Sequence, residues 1–212
     1  KRQIEVCMIA KSLRLENQSK SNAVPIEAND SIKLTKGKIV NIESGGIGER
    51  YCIDLTCLIS IGEGMLIGSS ASSLALVHGE VISSQYVPSR PFRVNAGPPH
   101  SYVLMADGKT KYIAELTSGD EVMLVSDHGE SRAATIGRLK IEKRPFLRIL
   151  WENDYQISNS IYLQQAETVR VVAGEGQVVS VTNLAVGDSI LCHNSQYARH
   201  IGNQVSISSK EV

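Results

Sequence analysis

Aromatic side chains make up only 5% of this chain. Without a row of aromatic platforms there is little for unstacked bases to rest on. Charge of either sign in excess is also missing. Lys and Arg number 22, Asp and Glu 22, whereas a nucleic-acid binder shows a basic excess or stripe. A translation-type SH3-like barrel that grips RNA is therefore disfavoured. No apolar run approaches the roughly 18 residues that span a bilayer. The basic start, "KRQIEVCMIAKSL", carries too brief an apolar stretch for a signal-peptide core and no clean cleavage site. It begins at Lys1 rather than Met, compatible with a trimmed chain. The four cysteines, Cys7, Cys52, Cys57 and Cys192, lack paired zinc spacing and are too sparse for a disulfide scaffold. Reduced thiols in a cytoplasmic protein are expected. Cys52 and Cys192, each inside an apolar run, read as core residues.

What is present is a succession of short β-branched runs punctuated by Gly, Asp, Asn and Pro: "GKIVNIES", "RYCIDL", "SYVLMA", "EVMLVSD", "FLRILWE", "TVRVVAG". That pattern predicts a mainly β (or α+β) fold built from closely spaced strands. Residues 69–81, "SSASSLALVHGEV", read equally as a helix or a strand. An internal repeat relates Gly108–Val125, "GKTKYIAELTSGDEVMLV", to "GQVVSVTNLAVGDSILCH" at 176–193. In both, a Leu precedes Gly-Asp and two closing hydrophobes, and an Arg followed by Ile-Gly lies beyond. The physics of the motif is a leucine entering the core and a Gly-Asp turn that sends the next strand back. The expected architecture is tandem small SH3-like β-barrels, over 108–175 and 176–212. A β-rich segment over 36–107 carries the chemistry, and 1–35 is a polar linker or remnant of an N-terminal region. A fainter third copy is expected at 45–55, "GGIGERYCIDL".

Polar residues gather in two places. "GEGMLIGSS" and "LVHGE" bring Glu63, Ser69, Ser70, His78 and Glu80 among glycines that let backbone approach a ligand. Ser69 and Ser70 would offer donors to an anion if a helix begins there. On a strand, His78 and Glu80 share a face, which suits two ligands of one divalent metal, with Glu63 as a third. The alternative is a core histidine held by backbone. "SRPFRVNAG", followed by "PPHSY", places Arg90, Arg93, Asn95 and His100 on extended chain. Arginine forks recognise carboxylate or phosphate; the alternative is pairing with acids such as Glu80. "GRLKIEKRP" at 137–145 reads as a strand with a solvated basic face, and "LQQAETVR" at 163–170 as a polar wall or strand end. Lys111, Lys140 and Glu167 are the reserve candidates.

In this order, "GEGMLIGSS", "LVHGE", "SRPFRVNAG", "KTKYIAEL", "GRLKIEKRP", "LQQAETVR" and "ARHIG" resemble the type II, archaeal-type 3-dehydroquinate synthase family, from about Thr35 onward. The resemblance implies an NAD-dependent oxidative deamination and cyclisation of a seven-carbon amino-dideoxy-ulosonate. A sister branch makes 3-amino-4-hydroxybenzoate from a related C7 precursor with manganese. "ALVHGE" and "LQQAE", where archaeal members tend to read "FLVHSE" and "LQNAE", lean toward that branch. The resemblance implies His78, Glu80, His100 and Lys111 as catalytic, and Arg90, Arg93, Asn95, Ser69 and Ser70 as contacts to a small C7 amino-keto acid. Glu63, His78 and Glu80 are the metal set in the manganese branch. It also implies longer relatives with an additional N-terminal α/β region. No G-x-G-x-x-G stands here for a dinucleotide. A homo-oligomer is compatible with all of this. A non-catalytic barrel module is the rival, and the retained polar set argues against it.

Overall fold

A computed structural model describes residues 31–84, 87–153, 157–173, 177–195, 198–200 and 203–205, the last two segments as backbone. The frame is two long antiparallel strands, β1 (Thr35–Leu55) and β8 (Ser131–Glu152), paired from Lys38↔Glu152 to Leu55↔Ile136. Strands of 21 and 22 residues far exceed the usual five or six. The glycines of "GGIG" therefore do not form a separate repeat unit. The pairing register shifts between Ser44 and Ile47, and Gly46 takes up the extra length at φ 74°. A bulge thus stands where the third copy was expected.

Between the long strands lie β2 (Glu63–Ser70), β3 (Ser73–His78), β4 (Arg93–Gly97), β5 (Tyr102–Leu104), β6 (Thr110–Tyr112) and β7 (Glu121–Ser126). After them come β9 (Ser158–Gln164), β10 (Arg170–Val172), β11 (Val178–Ser180) and β12 (Ser189–Asn194). The pairings β3–β12, β12–β1, β1–β8, β8–β7, β7–β2 and β2–β3 form a closed circuit. Closure covers the edges of these strands except where residues 137–144 of β8 pair with β1 alone. A further hairpin, β13 (Ala198–His200) with β14 (Asn203–Val205), forms its own small sheet. The described residues hold one 3-10 turn, Ile113–Glu115, and no α-helix; none of their helices could cross a membrane.

The segment that read as helix or strand is a hairpin. Met65, Ile67, Ala75 and Val77 face one core cluster, while Leu66, Leu74 and Leu76 face another. A run that is apolar on both alternating faces suits a strand covered on both sides. No helix starts at Ser69 and Ser70, so they do not present helix N-terminal donors to an anion. Both serines end β2, and the Ser70 hydroxyl bonds that of Ser72. The second cluster is closed from outside by Ile32, whose N–H donates to the Gly129 carbonyl at 2.7 Å. Residues 1–30, with Cys7 and most of the expected linker, lie outside the described part. Cys52 and Cys192 are fully buried, as expected.

The repeat is real at the level of its turn. The Asp120 carboxylate accepts the Thr117 N–H at 2.8 Å, and the Asp188 carboxylate accepts that of Ala185 at 2.9 Å. Gly119 and Gly187 have φ of 93° and 101°. Their N–H groups donate to β8 at Ile136 and to β1 at Ile39. Each unit thus clips onto one of the two long strands. Leu116 is buried and Leu184 packs against the main core. The strands that follow join the common sheet: β7 lies between β8 and β2, and β12 between β1 and β3. The mainly β class holds, and both repeat units complete their sheets with strands from the segment before them. Of the Arg-Ile-Gly that follows each copy, Ile201 and Gly202 lie outside the described residues.

Alanine at Gly119 or Gly187 would meet no atom within 4 Å. Only the left-handed backbone is penalised, by about 1–2 kcal/mol. Urea denaturation of the two variants should show matching losses. A large loss in one with none in the other would show that the turns are not equivalent.

Candidate active site

Alternation sorts β4 and its neighbours into two faces. Val94 and Ala96 of β4, Ile53 and Leu55 of β1 and Ile136 of β8 enter the main core. The residues between them point the other way. Register then lines these up in rows. Asp54 stands between Arg93 and Arg138, and Cys52 between Asn95 and Lys140. Cross-strand neighbours at this spacing are in contact range.

The first row is the most tightly bonded. Asp54, 4% exposed, accepts from Arg93 Nε at 2.6 Å and its second fork nitrogen at 2.9 Å. It also accepts from Arg138 Nε at 2.9 Å and a terminal nitrogen at 2.5 Å. Burial pushes the Asp54 carboxyl up, but the two guanidinium groups outweigh it and hold it below the usual range. The Asp54 carboxylate in turn raises the Arg93 pKa, so that arginine is permanently charged. Arg93 is buried, while the Arg138 side chain is 66% exposed. Glu80 and Arg90 close one end of this face. The Glu80 N–H donates to the Arg93 carbonyl at 2.8 Å, and Arg90 reaches the Glu80 carboxylate at 3.2 Å. At the other end Glu142 gathers Arg50, Lys140 and Arg144. Six cations therefore share three carboxylates, Asp54, Glu80 and Glu142. A chain with no net charge carries a local positive surplus here.

Behind the charges sits a neutral wall. Asn95 Nδ2 donates to Gln164 Oε1 at 2.8 Å, while its buried Oδ1 has no partner. Burial pushes the Cys52 thiol up to about 11, so it is not a nucleophile near neutrality. Gly97, at φ 93°, lies against Tyr162; a Cβ there would meet the Tyr162 carbonyl oxygen at 2.4 Å. His100, on the exposed turn that follows, packs edge-on against the Tyr162 ring at 5.3 Å. Partial desolvation of its ring lowers the His100 pKa.

Of the sequence candidates, Glu80, Arg90, Arg93 and Asn95 come together, with His100 at the edge and Lys140 in the second row. Glu63 and His78 do not join them. Glu63 takes both forks of Arg132, at 2.6 and 2.8 Å, and accepts the Ser60 N–H. His78 is 2% exposed, and its Nε2 accepts the Gly62 N–H at 3.0 Å. It is a core histidine held by backbone. The trio Glu63, His78 and Glu80 does not fit a divalent ion. Among the described residues no three His, Cys, Asp or Glu side chains gather for one. Among the described residues no glycine-rich turn leads into a helix of the kind that cradles a pyrophosphate. Lys111 pairs with Asp120 at 3.0 Å on β6, at the far edge of the sheet. Glu167 is exposed on the connection from β9 to β10.

The model of the 3-dehydroquinate synthase II C-terminal domain matches residues 36–211. The chain belongs to the 3-dehydroquinate synthase II family. It is 47% identical over 176 residues to a 3-dehydroquinate synthase of Methanosphaera stadtmanae, covering 82% of this chain and 48% of that protein. A 3-dehydroquinate synthase of Methanocaldococcus jannaschii is 46% identical over 173 residues, with the same coverage. That of Methanothermobacter thermautotrophicus is 46% identical over 175 residues, covering 82% of this chain and 46% of its own length. The chain thus spans about half the length of these relatives. No solved structure matches it. Within this family domain, sequence reasoning missed Asp54, Arg50 and Arg138, while the polar wall expected at 163–170 is supplied by Gln164. A signal for Asp54 was present: an acid inside "RYCIDL" has to find cations when that strand is buried.

His78 gives a test of the core assignment. Burial depresses its imidazole to about 4 from 6.5. Below pH 6.5 the unfolded chain takes up a proton that folded His78 refuses, so stability is fully present above 6.5 and falls as pH drops toward 4. The full effect is about 3 kcal/mol. His78→Gln should flatten the pH dependence of denaturation between 6.5 and 4. An unchanged slope would show that His78 titrates normally.

Proposed function

We propose that the full-length protein is a cytoplasmic 3-dehydroquinate synthase of aromatic biosynthesis. Its reaction is the NAD-dependent oxidative deamination and cyclisation of a C7 amino-dideoxy-ulosonate. This chain supplies the surface that holds the acid. The supporting observation is the row Arg93–Asp54–Arg138 with its positive surplus. Arg93 is fixed by Asp54 and buried, so it sets the position of Asp54 and thereby of Arg138. Arg138 and Lys140 are the exposed cations that meet the substrate carboxylate. An arginine fork suits a carboxylate bidentately, and a preorganised positive field also stabilises the enolate that ring closure must develop. The imidazole of His100 is at hand to move a proton at the edge of the face. NAD is the oxidant this reading requires, and would accept the hydride.

The test is incubation of the full-length gene product with the C7 amino-ulosonate, with and without NAD and Mn²⁺, followed by product identification. 3-Dehydroquinate formed only with NAD is the expected result. An aminohydroxybenzoate formed with Mn²⁺ places the protein in the sister branch, and no product in any arm leaves a binding module. Arg138→Ala should raise KM by one to two decades, the equivalent of about 1.5–3 kcal/mol for a charge-assisted bond. Its exposure predicts little change in stability. Arg93→Lys cannot keep both bonds to Asp54 and should lower stability and kcat/KM together. Arg138→Ala kinetics equal to wild type would remove the carboxylate from this face.

A further inference from the structure

The loop between β1 and β2, residues 56–62, is pinned from below yet turns two aliphatic side chains outward. Leu58 is 68% exposed and Ile61 76%. Beneath them Arg132 donates to the Leu58 carbonyl at 2.8 Å while its fork holds Glu63. The Ile59 N–H donates to the Pro91 carbonyl at 2.6 Å. Ile59 itself fills the core. The loop is therefore held with Leu58 and Ile61 in solvent, an apolar pair three residues apart on one pinned segment.

Two neighbours border the loop. One flank of the loop is the β7–β8 turn: a Cβ on Gly62 would touch the Asp127 carboxylate at 3.2 Å. The same turn receives the incoming chain, through the Ile32 N–H bond to Gly129. The described chain therefore begins at the same turn that borders the loop at Gly62. The other flank is the charged face. The Leu55 N–H donates to the Phe92 carbonyl at 2.8 Å, next to Arg93, and Thr56 lies against Gly137, next to Arg138. The match is to a C-terminal domain, and about half of each relative's length lies outside it.

We infer that Leu58 and Ile61 are the docking point for the N-terminal half of the full-length protein, which thereby roofs the Arg93–Asp54–Arg138 row. The acid-binding face then lies in a cleft between two halves of one chain, where ligand sites commonly form. The roof rests on the function proposed above; the docking itself does not.

The experiment replaces Ile61 with p-benzoylphenylalanine in the full-length gene product. Irradiation is followed by gel separation and peptide mass spectrometry. At 76% exposure the replacement is not expected to disturb folding. Cross-links within one molecule, from position 61 to peptides preceding Lys1, are the expected result. Cross-links that join two copies would instead make the loop a self-association surface and overturn the proposal. Recovery of the probe unreacted, or a gene product with no such preceding region, overturns it as well. As a second readout, the Leu58→Asp, Ile61→Asp double variant should lose the protection of the Arg138 region from trypsin without unfolding the barrel. Unchanged protection counts against the roof. A protein that cross-links as expected but converts no C7 acid would sink the proposed activity and leave the docking intact.

Discussion

A carboxylate buried between two guanidinium groups organises this molecule's polar face. Asp54 cannot lose its buried partner Arg93 cheaply: it is 4% exposed and accepts both forks of that guanidinium, with Arg138 adding two bonds from the solvent side. Removing one member of a buried pair leaves the other charged and desolvated, at about 3–5 kcal/mol. The same bonds tie three strands together, because Arg93 comes from β4, Asp54 from β1 and Arg138 from β8. Side-chain placement and sheet register are therefore one constraint. A slip of one residue in either pairing would turn the charges of the slipped strand into the core.

The barrel makes that constraint affordable. Strands β2 and β3 are covered on both faces, so the apolar material of this domain sits behind and beside the charged rows. The two long strands carry the load at both ends. Each Gly-Asp turn of the repeat is bonded to one of them, which accounts for a repeat in sequence that shares one sheet in space. Rigid neighbours suit the proposed acid-binding role of this face, since side chains already held in place lose little further freedom on binding.

Burial divides the labour among the arginines. Arg93 is enclosed and holds Asp54; Arg138, on the outer strand, keeps two-thirds of its side chain in solvent. An inner cation fixes the carboxylate and an outer cation is presented by it. The exposed aliphatic loop borders this same row, so the charged face and the surface for a covering domain lie on adjoining parts of the fold.

By itself the sequence determined the mainly β class, the Leu-x-x-Gly-Asp turns and the gathering of Glu80, Arg90, Arg93 and Asn95. Each depends on neighbours within a few residues: alternation, a left-handed glycine, a proline-held loop. It did not separate helix from strand at 69–81, because a segment covered on both sides has no polar face to reveal its period. Nor did it place Glu63 and His78, whose partners Arg132 and Gly62 were decided by which strands lie side by side. Only the tertiary structure brought Asp54 and Arg138 to Arg93. Residues 84 and 39 positions from Asp54 in sequence become its neighbours through pairing across three strands, and nothing local in "RYCIDL" or "GRLKIEKRP" specifies which partner register supplies.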